Sequence, residues 1–241
     1  MKKVAVILAG GVGNRTGQDI PKQFLNINDK PIIIYTLEVF QKNPTIDEIE
    51  VVCKEGWHDI LWAYANQFNI TKLKYVVTGG ETAQESIKIG LFNLENVLKK
   101  DDIVVIHDGV RPMVDEEVLS DVVAVCEKFG NAVTSLPYNE QIFVVNEEDS
   151  TTTKEYIPRD KLRRVSTPQA YKFSEIDEAY HYAYDNNFGI GKSTYANTLM
   201  ADLGKTLHFA AGSDKNIKIT TRDDIEIFKA FAKSDKDDWL K

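Results

Sequence analysis

The chain has 241 residues, of which 43% are hydrophobic and 27% are charged, a balance typical of a soluble globular protein. Its net charge of −8 disfavours nucleic acid as a partner, because a nucleic-acid-binding surface must attract phosphate. No apolar run approaches the roughly 20 residues that span a bilayer, and the first residues lack the features of a secretory signal. These properties predict a cytoplasmic protein that binds neither a membrane nor nucleic acid.

Strand and helix patterns alternate through the first half of the chain. Short apolar runs predict strands buried on both faces at residues 4–8, 49–52, 75–77 and 103–106. Amphipathic stretches predict helices at residues 32–41, 58–67 and 82–98, and a fourth helix after Asp115, which is a candidate N-cap. This alternation predicts an α/β fold with a mostly parallel, Rossmann-like sheet flanked by helices.

The pattern changes after Pro137. Residues 141–145 and 152–157 predict a β-hairpin, which would either complete the sheet or project from it as an arm. Further on, the sequence predicts helices at residues 173–184 and 195–203, strands at 207–210 and 217–220, and a last helix that begins with the capping pair Thr221 and Asp224. Because we find neither a low-complexity linker nor an internal repeat, we expect residues 1–241 to form one domain with an inserted hairpin.

A glycine-rich stretch follows the first predicted strand. Gly10, Gly11, Gly13 and Gly17 fall within residues 10–17. Glycines at this density allow the backbone to approach a bulky anion and to direct N–H groups toward it. The stretch is therefore a candidate phosphate-binding loop, although a plain strand-to-helix turn would look similar.

Two common nucleotide-binding motifs do not fit the chain. The Rossmann fingerprint fails because Thr16 stands where the third glycine belongs, and Pro21 would break the helix that must follow. Residues 189–194 look like the end of a Walker A motif, but Asn186 stands where its first glycine belongs. The glycine-rich stretch therefore needs another explanation.

Six short motifs supply that explanation. The glycine-rich stretch and Arg15 are followed by Pro-Lys-Gln-Phe at residues 21–24, and together they resemble the signature of the cytidylyltransferases that make diphosphocytidyl-methylerythritol and CDP-ribitol. The resemblance continues along the chain in the family's order. The remaining motifs are Gly79-Gly80 with Ser86, Asp108-Gly109-Val110-Arg111-Pro112, Thr167-Pro168-Gln169 and Asn216-Ile217-Lys218-Ile219-Thr220.

This resemblance implies a nucleotidyltransferase fold and transfer of a cytidylyl group from CTP to a small phosphorylated polyol. It implies that Arg15, Lys22 and Lys218 are catalytic cations that stabilise charge on the reacting phosphates. The nucleotide-binding positions that it implies are Leu8, Ala9, Gly10, Gly11, Gly13, Asn14, Gly80, Glu81, Ser86 and Asp108. His107, beside Asp108, is interpreted as a structural strand residue.

The resemblance also implies an acceptor site, a metal ion and a dimer. Arg111, Arg159 and Thr167 correspond to the residues that hold the acceptor phosphate, and Asp108 to a ligand of Mg²⁺. In the family, the arm that corresponds to residues 138–160 embraces a second subunit. We therefore expect a homodimer in which Arg159 lies near the acceptor site of the partner subunit.

The chain departs from the family pattern mainly on the acceptor side. Ala83 replaces an arginine, Glu140 and Gln141 replace an Asp-Thr pair, and residues 194–198 replace a Thr-Asp motif. The motif sequence Asp-Gly-Val-Arg-Pro is closer to that of the CDP-ribitol enzymes, and it favours ribitol 5-phosphate, or a related alditol or glycerol phosphate, as the acceptor. Methylerythritol phosphate and other sugar phosphates stay open as alternatives, and so does a nucleotide-binding protein without turnover.

Overall fold

The computed structural model describes residues 1–11, 20–192 and 195–233. Eleven strands lie in this part of the chain. They are β1 (Lys3–Ala9), β2 (Asn26–Ile27), β3 (Lys30–Pro31), β4 (Glu48–Cys53), β5 (Leu73–Thr78), β6 (Ile103–Asp108), β7 (Asn131–Pro137), β8 (Ile142–Val145), β9 (Thr153–Ile157), β10 (Arg163–Lys172) and β11 (Phe209–Ala211).

Seven of these strands form the central sheet, in the order β11–β7–β10–β6–β1–β4–β5. Strand β1 pairs in parallel with β4 and β6, β4 with β5, and β11 with β7. Strand β10 runs antiparallel to both β6 and β7. The sheet is therefore mostly parallel, as the sequence predicts.

Helices cover both faces of this sheet. They are α1 (Ile32–Lys42), α2 (His58–Gln67), α3 (Ala83–Asn93), α4 (Glu116–Phe129), α5 (Phe173–Asp185), α6 (Ala196–Asp202) and α7 (Arg222–Lys233). Ala5 and Ile7 of β1 face a core shared with α1, α2 and α4, whereas Val4 and Val6 face a core shared with α3, α5 and α6. The alternation of strand side chains thus fills two separate cores. None of the described helices combines the length and apolar character needed to cross a bilayer.

The four strands predicted in the first half of the chain are confirmed, but two central strands, β7 and β10, do not follow from the sequence pattern. Strand β10 contains Pro168, which cannot donate a hydrogen bond to a neighbouring strand. The pairing of β10 with β7 shifts register between Val165 and Gln169, and Pro168 lies within that irregular part. Because of this interruption, apolar and polar residues do not alternate regularly along β10, and the sequence pattern does not identify it as a strand.

Two predicted elements are wrong in extent or type. The helix expected at residues 82–98 ends at Asn93, and residues 94–97 continue as turns. Residues 217–220 form no strand. Among the described residues, one backbone hydrogen bond joins them to a distant part of the chain, from the N–H of Ile219 to the carbonyl of Val110 at 2.9 Å, in place of the series that a strand would make. The capping pair of the last helix is confirmed, since the N–H of Thr221 donates to Oδ2 of Asp224 and the N–H of Asp224 to Oγ1 of Thr221.

The predicted β-hairpin is present and forms a sheet of its own. Strands β8 and β9 pair with each other and with no strand of the central sheet. Phe143, Val145 and Tyr156 on these strands are 55%, 60% and 65% exposed. Of the two alternatives, the hairpin is therefore an arm that projects with apolar side chains in solvent.

One buried carboxyl group ties β4 to α3. Glu50 is fully buried, and its Oε1 accepts a hydrogen bond from Nδ2 of Asn93 at 2.7 Å. Burial raises the pKa of Glu50 to about 8, only partly offset by that hydrogen bond. The side chain is therefore mostly uncharged at neutral pH, and it fixes α3 against the sheet without placing a charge in the core.

Candidate active site

Asp108 ends strand β6 and is the centre of a group of charged side chains. Its Oδ2 accepts a hydrogen bond from Nε of Arg111 at 2.9 Å, and its Oδ1 accepts one from Nζ of Lys218 at 3.0 Å. The side chain of Asp108 is 13% exposed, that of Arg111 15% and that of Lys218 31%. We call these three residues the Asp108 cluster. It brings together a predicted metal ligand, a predicted acceptor-binding residue and a predicted catalytic cation.

The two cations determine the charge state of Asp108. Burial would raise the pKa of the carboxyl group, because a charged carboxylate loses its hydration. The positive charges of Lys218 and Arg111, with the hydrogen bonds that they donate, outweigh that effect and hold the pKa of Asp108 below its ordinary value. The carboxylate is therefore ionised at neutral pH. With two cations and one anion, the cluster is net positive and can attract phosphate in an acidic chain.

Thr167 and Asn216 join the Asp108 cluster to β10 and to the chain before α7. The N–H of Asp108 donates to Oγ1 of Thr167 at 3.1 Å, and Nδ2 of Asn216 donates to the carbonyl of Thr167 at 2.7 Å. The carbonyl of Asn216 accepts a hydrogen bond from Nη1 of Arg111 at 2.8 Å, which closes the ring of contacts. Thr167 is a predicted site residue. The sequence indicates no role for Asn216, although it opens the last motif.

Apolar packing positions Lys218. The next residue, Ile219, is fully buried in a small core with Val110 and Phe228. Burying an isoleucine side chain contributes about 1.5–3 kcal/mol, which is enough to hold a short unpaired segment in place. The Nζ of Lys218 also lies 5.9 Å from the centre of the Tyr195 ring. Tyr195, in a segment where the chain departs from the family pattern, therefore lies beside the Asp108 cluster.

Three predicted nucleotide-binding residues meet beside the end of β1. The N–H of Gly80 donates to Oγ of Ser86 at 3.1 Å. A Cβ on Gly10 would lie 3.5 Å from both Oγ of Ser86 and Cα of Gly79, so the two glycine-containing turns touch backbone to backbone. A Cβ on Gly80 would lie only 2.4 Å from Cβ of Glu85, so no larger residue fits there. Gly80 is therefore needed for this close approach, whereas a Cβ on Gly10 would make ordinary contacts.

Glu81 lies at the exposed edge of this group. Its N–H donates to Oε2 of Glu85 at 2.8 Å, and Thr82 and Glu85 form a capping box at the start of α3. The Thr82 hydroxyl accepts from the N–H of Glu85, so the first turn of α3 is fixed without a ligand. The turn that carries Gly80 and Glu81 is therefore held by its own side chains.

Leu8, Ala9 and Gly11 contribute backbone groups. The carbonyl of Leu8 accepts a hydrogen bond from the N–H of Gly109 at 2.9 Å, which places the end of β1 against the residue after Asp108. The carbonyls of Ala9 and Gly11 accept bonds from Nε2 of Gln23, at 2.7 and 3.0 Å. These contacts hold the end of β1 and the first residues of the glycine-rich stretch in place.

Gln23 supports the candidate site, although the sequence analysis assigns it no role. Its side chain is 1% exposed, and it lies in a short 3₁₀ helix formed by Lys22–Phe24. Phe24 stacks on Trp57 with ring centres 4.6 Å apart, which anchors the same helix on its other side. Gln23 thereby positions the backbone of Lys22 relative to the glycine-rich stretch. The sequence feature that could have indicated this role is the position of Gln23 between Lys22 and Phe24 in the Pro-Lys-Gln-Phe motif.

His107 supports the site without facing it. The residue is fully buried, and its Nε2 lies 3.2 Å from the carbonyl oxygen of Arg111. Burial lowers the pKa of His107 to about 4, so the imidazole is neutral at neutral pH and can donate to that carbonyl. This arrangement agrees with the interpretation of His107 as a structural strand residue.

The remaining predicted residues do not join the Asp108 cluster in this structure. Arg159 lies in a second short 3₁₀ helix at the base of the hairpin, is exposed, and donates a hydrogen bond to the carbonyl of Asn139 at 2.7 Å. Among the described residues, no hydrogen bond or ion pair connects Arg159 to Asp108. Gly13, Asn14 and Arg15 lie outside the described residues.

Comparison with known proteins identifies the family. The model of the family described as IspD, 2-C-methyl-D-erythritol 4-phosphate cytidylyltransferase, matches residues 3–234. The chain is 58% identical to a ribitol-5-phosphate cytidylyltransferase from Lacticaseibacillus paracasei, over 94% of this chain and 96% of that protein. It is 36% identical to a 2-C-methyl-D-erythritol 4-phosphate cytidylyltransferase from Clostridium tetani, over 96% and 91%.

The fold agrees with solved structures. The 4-diphosphocytidyl-2C-methyl-D-erythritol synthase of Anaerococcus prevotii superposes with a TM-score of 0.81 over 97% of this chain and 96% of that chain. Its sequence is 24% identical, so this likeness supports the nucleotidyltransferase fold alone. The family match and the close relatives confirm the resemblance carried by the six motifs. The chain therefore belongs to the IspD family of cytidylyltransferase enzymes.

Proposed function

We propose that this protein transfers the cytidylyl group of CTP to ribitol 5-phosphate and releases pyrophosphate. The observation that carries the proposal is the 58% identity to a ribitol-5-phosphate cytidylyltransferase along almost the whole chain, against 36% for a methylerythritol-phosphate enzyme. The product would be a cytoplasmic precursor of a cell-wall or capsule polymer.

The reaction needs orientation and charge neutralisation rather than a covalent intermediate. A phosphate oxygen of the acceptor attacks the α-phosphorus of CTP, a new P–O bond forms, and the bond to pyrophosphate breaks. Because the nucleophile is already an anion, no side chain has to remove a proton, and the main obstacle is repulsion between the two phosphates. Arg111 and Lys218 are fixed by Asp108 and supply preorganised positive charge. Lys22, positioned through Gln23, supplies another cation beside the glycine-rich stretch.

The surroundings of Gly10, Gly80 and Ser86 suit a cytidine. These residues are small and close to one another, and backbone N–H and C=O groups border them. A flat pyrimidine can be recognised by such backbone groups, whereas a purine needs more room. The acceptor would lie on the other side of Asp108, near Arg111 and Thr167.

We also propose that Mg²⁺ assists the reaction with Asp108 as its protein ligand. The residue fits a hard cation, because Asp108 is ionised, lies at the carboxyl end of β6, and keeps a second lone pair on each oxygen that accepts from Arg111 or Lys218. No group of three His, Cys, Asp or Glu ligands among the described residues includes Asp108. One carboxylate is sufficient when substrate phosphates provide further oxygens. The ion would supply additional neutralisation of phosphate charge.

A homodimer completes the proposed site. The arm exposes Phe143, Val145 and Tyr156, and an isolated two-stranded hairpin is only marginally stable in water. A second subunit would cover these side chains and bring its Arg159 to the acceptor phosphate. This arrangement explains why Arg159 makes only a backbone contact, to Asn139, among the described residues.

Acceptor preference tests the proposed reaction. We expect pyrophosphate release from CTP to be fastest with ribitol 5-phosphate, with kcat/KM at least roughly 10-fold above that for methylerythritol phosphate or glycerol 3-phosphate, since a site rejects an acceptor that leaves its polar groups unpaired. A coupled pyrophosphate assay with each acceptor at equal concentration provides the measurement. Preference for methylerythritol phosphate would assign the chain to isoprenoid synthesis, and no turnover with any acceptor would contradict the proposal.

Removal of the Asp108 charge tests the metal proposal. Asp108→Asn should lower kcat on the order of 10²-fold, the scale of losing one preorganised electrostatic group, and chelation should abolish turnover of the unmodified protein. Asp101→Asn is the matched control, because Asp101 lies just before the opposite end of the same strand and is exposed. Thermal unfolding would verify that both variants fold. Undiminished turnover in excess chelator would contradict a role for Mg²⁺.

Subunit mixing tests the shared site. Lys22→Ala and Arg159→Ala chains should each be nearly inactive, whereas a mixture should recover part of the activity, because a mixed dimer contains one intact site. Each variant mixed with itself serves as the control, and differently tagged chains would demonstrate exchange of subunits. Exchange without recovery would place all site residues in one chain, and a fully active monomer in sedimentation would exclude the dimer as a requirement.

A further inference from the structure

A second group of ligand-type side chains lies away from the Asp108 cluster, where α5 meets the turn after α3. Glu95 follows α3, and Asp177 and His181 lie one turn apart on α5. Nε2 of His181 lies 2.9 Å from Oε1 of Glu95 and 3.8 Å from Oδ1 of Asp177, and all three ligand atoms lie within 4.8 Å of one another. We call these three residues the His181 group. The proposed cytidylyl transfer assigns them no role.

The spacing of the His181 group fits a metal ion of tetrahedral geometry. A Zn²⁺ ion binds imidazole nitrogen and carboxylate oxygen at about 2.0–2.2 Å, so two ligand atoms of a tetrahedral site lie about 3.4 Å apart. The distance of 3.8 Å from Nε2 of His181 to Oδ1 of Asp177 lies above that value, and the distance of 2.9 Å to Oε1 of Glu95 lies below it because these two atoms share a hydrogen bond, which a bound ion would replace. Small side-chain adjustments would equalise them, and water would supply the fourth ligand.

Asp177 gives a second reason to expect a cation. Its Oδ1 is buried from solvent and accepts no hydrogen bond from any described residue. A buried carboxylate oxygen without a hydrogen-bond partner, close to the carboxylate of Glu95, is poorly compensated, and a divalent ion would correct this.

The histidine ring is held in the orientation that this site requires. His181 stacks on Phe92 with ring centres 4.3 Å apart and an interplanar angle of 14°. Phe92 is in the last turn of α3, so the ring that would bind the metal already bridges the two helices. Stacking limits rotation of the imidazole and keeps Nε2 directed toward the two carboxylates.

We propose that Glu95, Asp177 and His181 bind a divalent transition-metal ion, of which Zn²⁺ is the best match to one imidazole and two carboxylates. The ion joins α5 to the end of α3, the helix whose first turn holds Gly80 and Ser86. It is a structural site, separate from the Mg²⁺ proposed at Asp108. The hard Mg²⁺ ion prefers oxygen ligands in octahedral geometry and would not select the imidazole.

Zinc titration of the full chain tests this site. The protein is freed of metal with a chelator, dialysed, and titrated with zinc chloride in competition with a chromophoric zinc indicator. We expect a site for one ion in the unmodified protein and at least roughly 10-fold weaker binding in His181→Ala, because loss of a direct ligand should cost no less than loss of an outer hydrogen-bond partner. Zinc should also raise the melting temperature of the unmodified protein.

His208→Ala is the matched control, because His208 stacks on Phe129 in the same manner, with centres 4.5 Å apart, but is not part of the His181 group. It should bind zinc like the unmodified protein. Glu95→Gln changes an exposed side chain, so it tests the site even if His181→Ala folds poorly, and it should remove the zinc-dependent rise in melting temperature. Equal zinc affinity in all four proteins, or no binding by the unmodified protein, would overturn the proposal.

Discussion

The pairing of one buried carboxylate with two cations is the interaction on which the rest of the site depends. Asp108 holds Arg111 and Lys218 by hydrogen bonds of 2.9 and 3.0 Å, and loss of either cation would leave the largely buried carboxylate with less compensation for its lost hydration. The C-terminal segment is therefore fixed to β6 although it contributes no strand. The sheet brings the glycine-rich stretch to the same place, since Leu8 of β1 lies in register with Asp108. The Asp108 cluster and the start of the glycine-rich stretch thus meet at the carboxyl ends of two neighbouring parallel strands, where open α/β sheets bind ligands.

Much of the fold follows from local sequence, and the exceptions have physical causes. The apolar runs that become β1, β4 and β6 are continuous because both faces of these strands are buried, and this composition is easily recognised. Strand β10 is not recognisable, since Pro168 and a register shift interrupt it and its pairing depends on distant strands. Residues 217–220 have a strand-like composition for another reason. Ile219 fills a small core while its backbone makes one hydrogen bond, to Val110, so apolar content there reflects packing and not sheet pairing.

The sequence predicts those residues of the candidate site that lie within the six motifs. Asp108 and Lys218 are far apart in the sequence, and only the family resemblance indicated that they belong together. Gln23 acts through two carbonyl groups of the backbone, and such a contact leaves no mark in composition or periodicity. The same limit applies to the His181 group, whose carboxylate Glu95 comes from a turn after α3. Arg159 is the opposite case, because the family resemblance indicates a site residue while a single chain leaves it exposed.

The charge state of Asp108 tests this account most directly. The carboxyl carbon of Asp108 can be followed by NMR in the free protein as the pH is lowered, with Lys218→Met as the comparison. At about pH 4, where an ordinary aspartate is half protonated, we predict that Asp108 remains ionised in the unmodified protein and is measurably protonated in Lys218→Met. An Asp108 resonance that titrates at or above the ordinary value in the unmodified protein would contradict the account, because the carboxylate would then not be held by its two cations.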